Sequence, residues 1–410
     1  MESYDVIVLG AGVMGSNAAW CLARDAVKVL LLEQFEIGHV HGSSHGQSRI
    51  IRRSYNDATY VPLVDLSYRL WRELEAESGA SLLQITGGLD LGEPESPYLA
   101  DCRKTMDATG VPYEKLNAAD LRRRFPQFKV HDTTIANYQP DGGVLRAGQC
   151  VETAVVMAQK HGAVVRAREP VLSIHTWSGS VEVTTAAGKY AAEKLIVTGG
   201  SWTGLGNGPG AMLGLKLPLE PLRQRKCYFA PANRAPFEPG RFPVWIWKTY
   251  GTVNEEIYGF PWLSGTPGIK IAHHDVDQPH GACDPNNMDR VVEQAYIDKL
   301  QAFLRNQIPG AAGPYQDGAV CIYTMTPDRD FILDRHPQQS RVVIGAGFSG
   351  TGFKFGSGVG RVLADLARNR APAVDLSRFR LDRFGPLVQV LPPPRTRASG
   401  PPTRGVRIGG

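Results

Sequence analysis

The chain opens with a short apolar run, Tyr4–Leu9, followed by a segment of helical character over Val13–Ala26 and a second β-rich run, Lys28–Leu32, that ends in Glu33. Strand, helix and strand at these lengths predict a βαβ unit. A helix-like, charge-rich stretch spans Pro97–Phe128, and another helix is predicted over Ala154–His161. Strands are predicted near Val164–Val165 and Val181–Thr184, and Lys194–Val197 reads as a buried strand stopped by Gly199 and Gly200. Between Leu217 and Gly318 the texture changes to short β-like pieces rich in aromatics, Pro and Gly, with one amphipathic helix near Asp289–Leu304. That change predicts a separate, sheet-based domain. Arg341–Ile344 is a further apolar strand, trailed by Gly345, Gly347, Gly350 and Gly352 and then a helix-like run over Phe353–Ala367. The Pro-, Gly- and Arg-rich tail from Pro392 is expected to be disordered.

At 410 residues the chain exceeds the size at which single cores stop growing, so two domains are expected. Hydrophobic residues make up 42% and charged residues 21%, as in a soluble globular protein. No apolar run approaches the roughly 18 residues of a membrane-spanning helix, so no membrane partner is expected. Because Tyr4–Leu9 reads as a strand, the start of the chain reads as structure and not as an address. Six cysteines (Cys21, Cys102, Cys150, Cys227, Cys283 and Cys321) lie scattered without a CxxC pair, which points to a reducing compartment and to the cytoplasm. Of the formal net charge of +5, four charges come from Arg395, Arg397, Arg404 and Arg407 in the tail, so nucleic acid is not an implied partner.

Gly10, Gly12 and Gly15 match the G-x-G-x-x-G fingerprint, with Met14 inside the turn. In such a turn small residues allow a tight bend, close approach of backbone to a pyrophosphate, and tight packing of helix on strand. Glu33 stands at the end of the second strand, where an acid accepts hydrogen bonds from ribose hydroxyls and disfavours a 2′-phosphate. The turn alone leaves FAD and NAD both open. Downstream, His41–Arg52 is dense in small polar groups and cations, including Ser43, Ser44, His45 and Arg49. A loop of this composition wraps a pyrophosphate or is merely solvated. His39, His41 and His45 have no Cys near them in sequence, so no metal is expected.

Three segments carry a resemblance: GSSHGQSRIIR at 42–52, GAVCIYTMTPDRDFILDRHP at 318–337 and VIGAGFSGTGFKFGSGVG at 343–360. With the opening turn they are similar to the flavin amine oxidases that include monomeric sarcosine oxidase, N-methyltryptophan oxidase and L-pipecolate oxidase, over about Tyr4 to Phe384. The resemblance implies a mixed α/β fold, with a Rossmann-like FAD-binding domain and a second, antiparallel-sheet substrate domain, as in D-amino-acid-oxidase-like flavoproteins. The expected partition gives residues 1–85, 150–216 and 318–385 to FAD, residues 86–149 and 217–317 to substrate, and residues 386–410 to a basic tail.

From the residues alone, Cys321 reads as an inert buried thiol; the resemblance implies that it carries FAD through a thioether to the 8α-methyl group. It likewise implies that the loop Gly345–Lys354, with Gly347, Phe348, Gly350, Thr351 and Gly352, borders the flavin edge. Arg52 and Lys354 match the family's carboxylate ligands. Lys270, alternating with apolar neighbours, aligns with an oxygen-activating lysine, while Tyr258, His274 and Tyr323 resemble pocket residues. His45 and Arg49 are expected beside the flavin as further catalytic groups. Two positions depart from the family: Thr351 stands where GFSGHGFK has histidine, and Ile246, between Trp245 and Trp247, stands where a methionine borders the substrate.

The implied reaction oxidises a secondary or N-methyl amino acid, sarcosine-, pipecolate- or proline-like, with O₂ as acceptor, in a monomer. A dehydrogenase serving another acceptor and a flavoprotein without turnover are the competing classes. Lys270 argues against the first, and the joint presence of Arg52, Lys270, Cys321 and Lys354 against the second.

Overall fold

The computed structural model describes residues 2–248, 256–274 and 282–390. The tail expected from Pro392 therefore lies outside the described residues.

The opening unit forms as its pattern requires. Strand Glu2–Leu9 runs into helix Val13–Arg24, which returns to strand Val29–Leu32, parallel to the first. These strands join an eight-stranded sheet in which Glu2–Leu9 is flanked by Val29–Leu32 and by Lys189–Val197. The second half of Lys189–Val197 pairs in parallel with Val342–Ala346, while its first half turns to an antiparallel hairpin of Val171–Thr176 and Val181–Thr185. Val6, Val8, Val29 and Leu31 pack under helices Val13–Arg24, Tyr60–Ser78, Ala147–Lys160 and Gly356–Ala367; Ile7, Leu9, Leu30 and Leu32 pack on the opposite face. Burial on both faces accounts for strands that read as continuous apolar runs.

A second eight-stranded sheet holds Gly88–Gly92, Glu114–Leu116, Ile135–Gln139, Glu220–Phe229, Val244–Lys248, Glu256–Gly259, Ile269–His273 and Tyr315–Met325. It is antiparallel as expected except where Val244–Lys248 runs parallel to Gly88–Gly92. The expected domain boundary at residue 318 falls inside strand Tyr315–Met325, which is hydrogen-bonded along its length to Glu220–Phe229. Cys321 thus belongs to the second sheet. Beyond residue 386, Gln389–Val390 pairs with Leu215–Lys216.

The single helix-like stretch predicted over Pro97–Phe128 is three elements. Helix Pro97–Thr109 stops at Gly110, whose φ of 69° is the left-handed cap that glycine tolerates. Strand Glu114–Leu116 follows, and Asn117 then starts helix Ala118–Arg124 with a reciprocal capping box to Asp120. The run predicted as helix over Phe353–Ala367 opens with a 3₁₀ turn, Gly352–Phe355, before helix Gly356–Ala367. The amphipathic helix of the second domain is Gln294–Gln307.

Candidate active site

The glycine turn is held by backbone contacts that leave no room for side chains. At Gly15 a Cβ would stand 1.9 Å from the carbonyl oxygen of Gly10, and at Gly10, with φ of 90°, it would stand 2.5 Å from that of Thr198. Helix and strand therefore touch where the family fingerprint requires a glycine. Both Glu33 oxygens are engaged: Oε2 accepts from the Ala11 N–H at 2.8 Å and Oε1 from the Phe35 N–H at 3.0 Å. Burial raises the Glu33 pKa against the lowering effect of those N–H donors. Ser44 Oγ accepts from the Val13 N–H at 3.0 Å and so fastens the loop 41–48 to the start of the first helix.

Above this turn lies a continuous cavity of about 340 Å³. Its lining includes Glu33, Gln34 and Val171, then Gly10, Gly12, Met14, Ser43, Ser44, His45 and Arg49, and also Cys321, Tyr323, Gly347, Phe348, Gly350, Gly352 and Phe353. His45 Nε2 is buried here without a hydrogen-bond partner among the described residues. Burial, Lys226 and Arg49 push the pKa of His45 down to about 3, leaving a neutral imidazole with an unused polar atom. The volume, the glycine-floored helix start and the unused imidazole fit a dinucleotide.

Arg49 is not a solvated cation. Its guanidinium donates to the carbonyls of Ser43 at 2.7 Å, His45 at 2.9 Å and Ser48 at 2.9 Å, and lies over the ring of Phe353. Ser43 Oγ in turn donates to the carbonyl of Ile322, tying this loop to the strand that brings Cys321 to the cavity wall.

Not every residue expected at the cofactor reaches the cavity. Gly15 serves packing, and so does Gly345, where a Cβ would meet the Leu363 side chain at 2.8 Å. Thr351 offers its carbonyl to Lys354 Nζ at 2.7 Å and does not line the cavity. Lys354, Lys270, Tyr258, His274, Arg52 and Ile246 also lie outside its lining. Four of these six, Lys270, Tyr258, Ile246 and His274, stand on or directly after strands of the second sheet.

Strand alternation explains that grouping. The register pairs Gln224 with Cys321, Tyr228 with Lys270, Ala272 with Tyr258, Tyr258 with Ile246, and Ile246 with Asp90. These positions, with Lys226 and Tyr323, share one face. The alternate positions Cys227, Phe229, Ile271, Ile257, Trp245 and Leu89 pack with Ile297 and Leu300 of helix Gln294–Gln307 on the other.

The polar face is rich in buried cations. Lys270 Nζ donates to the Ser48 carbonyl at 2.8 Å and to Ser48 Oγ at 3.2 Å, and sits 4.0 Å from the centroid of Phe260. Burial, then Arg49 and Lys226, hold its pKa well below the usual lysine value. Lys226, which the sequence reading passed over, has its pKa lowered to about 8, by burial and then by Arg49. It follows Arg223, Gln224 and Arg225 in Glu220–Phe229, so unlike Lys270 it has no apolar neighbours on both sides to mark it in the sequence.

Further along, Arg52 and Lys354 share one tyrosine. The Arg52 guanidinium lies 5.1 Å from the centroid of Tyr55, and Lys354 Nζ donates to Tyr55 Oη at 2.8 Å. Arg52 also donates to Tyr98 Oη at 2.7 Å and to the Ser54 carbonyl, and pairs with Asp90 at 3.5 Å. Burial, then Arg52, hold the Lys354 pKa well below its usual value. A pocket of about 10 Å³ adjoins Arg52, which lines it with Ser54, Asp90, Gln139 and Ile246 among others. His274 Nδ1 lies 3.3 Å from Tyr323 Oη; burial, then Lys248, push its pKa to about 3. Asp90 and Tyr55 were also missed, although an acid inside Gly88–Gly92 breaks the strand's apolar pattern.

Among the described residues no helix is long and apolar enough to cross a membrane, and no cluster of His, Cys, Asp and Glu could hold a metal ion.

Comparison with known proteins completes the picture. Monomeric sarcosine oxidase of Bacillus sp. strain B-0618 is 37% identical over 384 residues, covering 93% of this chain and 96% of that protein. N-methyl-L-tryptophan oxidase of Yersinia pestis is 32% identical over 383 residues, covering 93% and 99%. Among solved structures NikD, an unusual amino acid oxidase essential for nikkomycin biosynthesis, superposes with a TM-score of 0.80 at 28% identity, covering 93% of this chain and 97% of that one. A family profile described as DAO, FAD dependent oxidoreductase, matches residues 5–366. The chain belongs to this family of FAD-dependent oxidoreductases.

Proposed function

We propose that the chain oxidises secondary or N-methyl amino acids, sarcosine-, pipecolate- or proline-like, with O₂ as electron acceptor. The products are H₂O₂ and an imine, which water hydrolyses, to formaldehyde where a methyl group was oxidised. The observation that carries this reading is the pair of buried cations, Arg52 and Lys354, set against the one ring of Tyr55 beside the sheet face that bears Cys321 and Tyr323. The names of the Bacillus and Yersinia relatives supply the substrate class.

FAD bound in the long cavity supplies the hydride acceptor and the chemistry with O₂. Gly10, Gly12 and Met14 would hold its pyrophosphate, Glu33 its ribose, and Cys321 its ring, through a thioether. Arg52 and Lys354 bind and orient the substrate carboxylate, the guanidinium offering two parallel donors. Tyr258, Tyr323, His274 and Ile246 bound the amine end; with its pKa near 3, His274 adds no charge there that would repel a protonated amine. Lys270 and Arg49 set positive charge beside the site of oxygen reduction. An anion forming nearby favours the charged form of Lys270 against its burial. That fixed charge favours the oxidase over a dehydrogenase. The free state of all six cysteines supports a cytoplasmic setting, and the name of the Bacillus relative supports a monomer.

The test is peroxide production and oxygen uptake over sarcosine, N-methyl amino acids, proline, pipecolate and primary D- and L-amino acids. Secondary amines with one carboxylate are expected to give peroxide in amounts equal to the substrate consumed. Reduction of an artificial dye without peroxide would make the protein a dehydrogenase instead.

A further inference from the structure

Three cations gather at the carboxylate end of the site, and they are not alike. Lys248 is hydrogen-bonded to Glu256. Arg52 faces Asp90 Oδ2 at 3.5 Å, and the same oxygen accepts from Ser54 Oγ. Lys354 donates to Tyr55 Oη at 2.8 Å and to the Thr351 carbonyl at 2.7 Å, and it has no carboxylate partner among the described residues. An ammonium has three donors, so Lys354 keeps one unspent.

Asp90 is placed by register, not by chance of a surface rotamer. It is 3% exposed, lies opposite Ile246 on one side and Asn137 on the other, and shares their face of the second sheet. With Arg52, Ser54, Gln139 and Ile246 it lines the small pocket, and Gln139 Nε2 is buried there without a partner among the described residues. A carboxylate from the chain itself therefore already faces Arg52, through one oxygen at 3.5 Å.

We propose that Asp90 is a specificity-determining residue: by pairing with Arg52 from within, it leaves Lys354 as the cation without a paired carboxylate and selects amino acids with one carboxylate over those with two. This rests on the carboxylate-anchoring role proposed for Arg52 and Lys354. The first substrate carboxylate binds Lys354 and shares Arg52 with Asp90. A second would meet a buried like charge with no spare cation to offset it, which is discrimination by repulsion.

The test uses the flavin-loaded protein and two probes, acetate and malonate, titrated by their perturbation of the flavin absorbance. The unaltered protein is expected to bind malonate no more tightly than acetate. Asp90→Asn should tighten malonate at least tenfold and acetate by less; unchanged or weaker malonate binding in that variant overturns the proposal. Asp90→Leu removes the charge at similar volume and replaces the first variant if it does not fold. Lys354→Met separates the two ideas. If it weakens both probes while Asp90→Asn changes neither, anchoring stands and the role of Asp90 falls. If Lys354→Met changes neither probe, anchoring itself falls, and the role of Asp90 with it.

Discussion

The long cavity and the charged face of the second sheet are built by opposite means. The cavity's core is backbone: a glycine turn, the start of a helix, and an acid whose oxygens are taken up by the N–H groups of Ala11 in the turn and of Phe35 just after it. Its residues at the turn lie within a few positions of each other in the chain. The sheet face is built from side chains on strands far apart in sequence, brought level by register, and it buries Lys226, Lys270 and Asp90 against strong desolvation. Backbone tolerates almost no substitution and carries no pH dependence of its own. Side chains on a rigid sheet can be exchanged singly, and each exchange changes the chemistry more than the fold.

The largest expected effect lies in the turn. Gly15→Val would place branched carbons against the Gly10 carbonyl, 1.9 Å from where even the first of them must stand. The helix has to move off the strand, at a cost of about 3 kcal/mol or more. The variant is expected to be recovered without flavin and to lose its cooperative thermal unfolding, read by absorbance and circular dichroism. A variant that keeps flavin with an unchanged melting temperature would mean the cavity is not backbone-built.

Lys270→Met comes next, on the sheet face. Removing the ammonium that Ser48 holds should slow reoxidation of the reduced protein roughly 100-fold, the scale of losing one preorganised electrostatic group, and leave the fold intact. Stopped-flow measurement of the two half-reactions checks it. Equal slowing of reduction by substrate and of reoxidation by O₂ would deny Lys270 its separate place in the comparison.

Legibility in the sequence follows the same division. Gly10, Gly12, Gly15 and Glu33 were readable because their spacing along the chain is the geometry: a turn and the strand beside it. The charge-rich stretch Pro97–Phe128 was misread as one helix because Gly110 and the Asn117 cap are local stops inside a pattern that is otherwise helical. Lys270, Arg52 and Lys354 came from family resemblance, and no periodicity would have brought them together. Asp90 and Lys226 escaped both routes. Asp90 is the one charge of a short strand and Lys226 one of four charges in a long one, and the meaning of each comes only from the neighbours across the sheet, Ile246 for the first and Ala319, two positions from Cys321, for the second.

Cys321 is where the two constructions meet, and it offers the smallest and most discriminating effect. Its strand belongs to the second sheet, through its pairing with Gln224, yet its side chain lines the cavity. If the thioether forms, acid-precipitated protein keeps its yellow colour, and Cys321→Ser gives a colourless pellet; a colourless pellet from the unaltered protein would exclude the bond. In its native state Cys321→Ser should still bind FAD, because the glycine turn, Glu33 and the loop fastened by Arg49 are untouched by the change. Loss of only a few-fold in retention on dialysis would show that the backbone cavity holds the cofactor and the sheet merely fixes its ring. Complete loss of native binding would reverse that order, making the side-chain face, through one sulfur, the main anchor of the flavin.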